Sequence, residues 1–138
     1  MAITANFTTT PNNSSLRISH SDPLDYLDWT AGDNGGRLQQ IYVRAVADQA
    51  VVVNLSVKIG NTIYPIVRIP IPPIAIADDL TSSQPPTPLL TEEVLASLAL
   101  SPEGRALHFA SGDGIRVSQN AMLDAGETVT VLALGGDF

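Results

Sequence analysis

At 138 residues, with 44% apolar and only 15% charged residues, the chain has material for one domain with a core of its own. It has no cysteine, which excludes disulfides, thiol nucleophiles and thiolate-bound zinc. A net charge of −7, a pI near 4.4 and seven Lys and Arg scattered along the chain argue against nucleic acid and anionic membranes as partners.

Residues 1–15 are rich in Thr, Asn and Ser, and residues 1–22 are expected to form an extended N-terminal arm ahead of a single domain at 23–138. Met1–Asn6 has neither the basic nor the apolar region of a signal peptide. No run approaches the length of a membrane-spanning helix. Leu16–Ser19 reads as a short strand. Ser19-His20-Ser21-Asp22 contains the letters of a hydrolase triad, but neighbouring strand residues point to opposite faces and no nucleophile elbow is present. Asp22, Asp25 and Asp28 recur every third residue, with Asp33 and Asn34 close enough in sequence to join a calcium site, but the EF-hand pattern is absent and they read as solvated loop carboxylates. Trp29, the only tryptophan, suits a core or interface anchor better than a sugar platform.

The segment "TAGDNGGRLQQIYV", residues 30–43, places a glycine-rich loop before an alternating run. A phosphate cradle needs a helix after the loop, whereas Ile41, Val43 and Ala45 alternate with Gln40, Tyr42 and Arg44 as in a half-buried strand. The loop therefore reads as a turn feeding a strand at 37–47. Val51, Val53, Leu55, Val57 and Ile59 share one face of a second strand, Gly60-Asn61 marks a tight turn, and Ile63–Ile71 is a third strand. The three are expected to form a meander with one apolar face, covered by a second sheet. Pro70-Ile71-Pro72-Pro73 ends it, at an edge or outside the sheet, because proline removes ladder donors.

Residues 78–88 form a proline-rich loop. A short helix follows at about 91–100, with Thr91 as N-cap, Leu90 stapled to Leu95, and Val94, Leu95 and Leu98 buried. Ala106–Phe109 is strand-like, Ile115–Ser118 is a strand between glycine turns, and Thr128–Leu134 is the last strand. His20 and His108 stand alone, so no metal and no cofactor is expected. Together these elements describe a mainly β protein: an antiparallel β-sandwich of jelly-roll or Ig-like topology with one short helix and the extended arm. Nothing in the residues points to an enzyme.

The order of the motifs resembles a known family. "TAGDNGGRLQQIYVRAV", "VKIGNTIYPIVRIPIPP", "LLTEEVLASLALSPEGRALHF", "SGDGIRVSQN" and a terminal "LALGGDF" look like small structural proteins of tailed bacteriophages, over roughly residues 29–138. In that family an NG.RI turn opens a strand, a G..I.VS strand follows, and GGDF or GGDY ends the chain. The resemblance implies a capsid decoration, or cement, protein on the outer surface of the virion, made in the host cytoplasm. It would bind the major capsid protein between capsomers, often as a trimeric homo-oligomer, and bind no nucleic acid. A tail- or fibre-associated β-domain that binds a receptor, glycan or tail partner is the alternative. Ile3, Phe7, Tyr26 and Trp29 are the expected interface anchors, because aliphatic and aromatic groups dominate hot spots.

Overall fold

The computed structural model describes residues 10–22, 24–97, 107–120 and 122–138. In chain order the described strands are β1 (Thr10–Ser19), β2 (Tyr26–Thr30), β3 (Gly36–Val46), β4 (Val51–Ile59), β5 (Thr62–Ile71), β6 (Thr87–Pro88), β7 (Leu107–Phe109), β8 (Gly114–Gln119) and β9 (Thr128–Asp137). They form two antiparallel sheets. The first has the order β1-β9-β3-β6, with β7 also paired to β3, and the second has the order β2-β8-β4-β5. The chain changes sheet at almost every connection; among the described strands only β4–β5 and β6–β7 follow one another within a sheet. This is the strand order of a jelly roll rather than of an Ig domain.

Alternation fixes which side of each strand is buried. Ile41, Val43, Val129 and Val131 of the first sheet face Val53, Leu55, Ile115 and Val117 of the second, and each is at most 1% exposed. Leu89, Leu90 and Val94, buried around the start of the helix α1 (Glu92–Ser97), extend the same core. Thr91 caps that helix, its Oγ1 accepting the Val94 N–H at 3.4 Å. The expected continuation to Leu100 and the Leu90–Leu95 staple lie outside the residues whose placement is described.

Two expectations are corrected. The 37–47, 51–59 and 63–71 strands are not a meander: β3 lies in one sheet and β4–β5 in the other. Periodicity reports the buried face of a strand, not its neighbour, and residues 47–50 bridge the roughly 10 Å between stacked sheets. The arm expected over residues 1–22 is also redrawn. Thr10–Ser19 pairs with β9 along its whole length, from Thr10 opposite Asp137 to Ser19 opposite Thr128. Residues 1–9, including Ile3 and Phe7, lie outside the described residues.

Candidate protein-binding face

The glycine loop does hold an anion, and that anion belongs to the chain itself. Gly32 N–H donates to Asp137 Oδ1 at 3.0 Å, and Asn12 Nδ2 donates to the same oxygen at 2.9 Å. A Cβ on Gly32 would fall 2.6 Å from Asp137 Oδ2, so the glycine lets the backbone reach the carboxylate. Gly35, at φ 81°, closes the turn with its N–H on Gly32 O at 3.0 Å. Strand β3 follows instead of a helix, so the loop lacks the dipole of a phosphate site. The GGDF terminus is thus a structural lock between the last strand and the first glycine turn.

Trp29 is fully buried beneath this lock and cannot anchor a partner. Its indole Nε1 donates to Asn12 O at 2.8 Å, and its ring meets Phe109 at 5.8 Å between centroids. Asp22, Asp25 and Asp28 do not converge on one point. Asp28 sits on β2 and accepts Arg116 Nε at 2.7 Å and Nη2 at 2.9 Å, with Lys58 Nζ at 3.8 Å. In the Ser-His-Ser-Asp run, His20 Nδ1 donates to Leu123 O at 2.6 Å, and Ser19 Oγ bonds to Ser21 Oγ at 2.8 Å. The histidine is tied to a backbone carbonyl, not to either serine. His108 stacks loosely on Phe138 at 5.7 Å.

Tyr26 is the one expected anchor that the described structure leaves at the surface. It is 45% exposed on the outer face of the second sheet, and the Arg116 guanidinium lies 3.7 Å over its ring. The Asp28 hydrogen bonds lift the Arg116 pKa above its ordinary value against partial burial, so the guanidinium is permanently charged. Beside this stack runs a groove of about 400 Å³. Ser56 and Ser118 lie in it, Ile63, Pro65 and Ile66 form the apolar wall, and Arg68 and Arg116 supply charge. Ser56 is only 6% exposed although its strand phase places it on the outer face, so the strand floor lies well below the rim. Lys58, Arg68 and Arg116 gather three of the seven cations of an acidic chain on this face.

On β5, the edge strand of the sheet, Ile66 is 38% exposed in the groove, whereas Tyr64, 49% exposed opposite Val57, lies with the exposed Ile59 on the other face at the end of the β4–β5 hairpin. Pro65 lies opposite Ser56 and Pro70 opposite Val52, so both prolines fall at the same phase of the ladder. A register shift between Leu55 and Ser56 leaves Ile66 as the extra residue between them. Antiparallel residues alternate between facing the neighbour strand and facing away, and a proline fits only the outward phase. The bulge therefore lets both prolines point their missing donors outward. That blunts the edge against strand addition while leaving its side chains on view. Proline spacing in the sequence signals the edge; the groove had no comparable signal, because it depends on which strands are neighbours.

Glu127 was not marked by the sequence and is 2% exposed. Burial opposes its charge, but the N–H groups of Asp124 at 2.7 Å and Asp48 at 2.8 Å and the Gln49 side chain hold its carboxyl below the usual glutamate range. It ties the β3–β4 crossover to the start of β9. Among the described residues no cluster of three or more His, Asp or Glu is placed to hold a metal, and no helix is long and apolar enough to cross a membrane. Compared with protein-family models and with curated proteins, the chain matches none.

Proposed function

We propose that the chain is a structural virion protein, a capsid cement protein that docks on the major capsid protein through the exposed end of its β4–β5 hairpin. The observation that carries this is the exposed apolar pair Ile59 and Tyr64 at the end of the β4–β5 hairpin, beside an edge strand that prolines keep from pairing. Such a surface suits side-chain docking on another folded protein, because exposed aromatic and aliphatic groups are the usual anchors of an interface. The motif order that resembles phage structural proteins supports the same role, and the jelly roll is an architecture used by viral capsid domains, an analogy of fold only. Each contact need not be strong, because many copies on one lattice add avidity.

The decisive experiment adds purified protein to expanded capsids that lack it and separates bound from free by sedimentation. Tyr64→Asp is expected to weaken binding at least about tenfold, because it charges the exposed apolar pair. Equal binding by the variant would remove this face from the account. The groove favours one second reading, a tail or fibre domain that takes a receptor there, since jelly rolls also include lectins. Low copy number in the particle and capture of an acidic glycan would favour that role.

A further inference from the structure

We infer that the groove on the second sheet receives the β5–β6 turn of a second copy of this chain, so that the protein associates head to tail. This goes beyond the cement role and does not rest on it. The occupant is identified by complementarity. The groove offers an aliphatic wall, Ile63, Pro65 and Ile66, next to Arg68, which has no ion-pair partner among the described residues. The turn over Ile76–Asp78 and the residues after it offer the opposite set: Leu80 is 97% exposed, Ile76 is 37% exposed, and Asp78, which has no ion-pair partner among the described residues, stands between them in sequence.

This turn is rigid before it binds. Asp78 N–H donates to Ala75 O at 2.9 Å, and Thr81 and Ser82 N–H both donate to Asp78 O, at 3.1 and 2.8 Å. Asp79 is clamped by Arg44, with Nη1 on its Oδ1 at 2.6 Å and Nη2 on its backbone oxygen at 2.9 Å. A nearly fully exposed leucine on a turn tied at this many points is a preformed knob, and little ordering entropy is lost when it docks. Leu24, 85% exposed between Asp22 and Asp25, has similar chemistry, but among the described residues its loop has no comparable clamp. Knob and groove are different surfaces, so the contact is heterologous: it closes into a ring or grows as a chain.

The test is sedimentation velocity on the full chain from micromolar to millimolar concentration, at low and high salt. The wild type is expected to associate reversibly, less so as salt rises. Leu80→Asp and Ile66→Asp should each weaken association at least about tenfold, while Leu24→Asp leaves it unchanged. Arg68→Asp and Asp78→Arg should each weaken it, and the double swap should restore it. Leu80, Leu24 and Asp78 are exposed, so their variants keep the fold, which melting curves verify. A monomer at every concentration, association indifferent to Leu80 and Ile66, or a double swap that fails to restore would each overturn the inference. The capsid experiment above is read separately, because a monomeric chain can still bind capsids.

Discussion

Trp29 and Gly135 touch so closely that a methyl group could not stand between them. A Cβ built on Gly135 would lie 2.7 Å from Trp29 Cζ2 and 2.6 Å from Arg37 O. Gly36 meets the same ring from the neighbouring strand, its Cβ position 3.1 Å from Trp29 Cη2. Two glycines on paired strands thus make a flat bed for the indole, and the terminal GGDF is part of the core.

Gly135→Ala should therefore destabilise the fold by about 2–4 kcal/mol, as overpacking against backbone and a buried ring does. Gly60→Ala is the control. Its φ is +60°, and nothing lies within 4 Å of its Cβ position, so only backbone strain of about 1–2 kcal/mol applies. Trp29→Ala should exceed the control as well, at about 3–5 kcal/mol. Urea denaturation of the three variants gives the ranking. A Gly135 variant no worse than the Gly60 variant would refute the packing argument.

How much of this was legible beforehand differs by element. The β4 alternation, the Gly60-Asn61 hairpin, the Thr91 cap and the edge position of the proline-bearing strand follow from local chemistry, and the structure has them. Residues 10–15 carry no apolar alternation. They form a strand because β9 supplies the ladder and because the Asn12 and Asn13 side chains bond across to Asp137 and Gly135. Trp29 read as an anchor of either kind, and only the sheet pairing shows that it is sealed inside. The cross-sheet path from β3 to β4 was invisible because its cause, Glu127, lies almost eighty residues further along the chain.

Glu127→Gln should cost about 2–4 kcal/mol at neutral pH, since it sets an amide among buried donors that need an acceptor. The folded pKa is lowered, so the carboxylate's contribution is complete above the ordinary glutamate value of about 4.3 and is lost as pH falls through the lowered folded value. The stability gap between wild type and variant should accordingly narrow in acid. Denaturation midpoints across pH would show it, and a gap constant down to the acid transition would contradict the assignment.

Replacing Pro65 and Pro70 by Thr restores two outward donors on an exposed, apolar edge. The double variant should keep its melting temperature within a few degrees, yet aggregate through strand pairing sooner than the wild type. Light scattering during incubation below the melting point measures this. Unchanged scattering would mean that the prolines do not guard the edge.

Asp28→Asn removes the bidentate partner of Arg116 and the neighbour of Lys58. Both cations are partly solvated, with side chains 24% and 22% exposed, so stability should drop by only about 1 kcal/mol. The Arg116 position over Tyr26 should loosen, and because Arg116 lines the groove, self-association should weaken more than stability does. Chemical denaturation paired with sedimentation velocity separates the two effects.

The proposed coating of a capsid lattice is tested most directly by the chain's copy number in purified virus particles, measured against the major capsid protein on a quantitative gel. A near-equimolar or simple-fraction ratio is the predicted result. A handful of copies per particle would place the protein on a tail, fibre or unique vertex, and its absence from the particle would contradict a structural role.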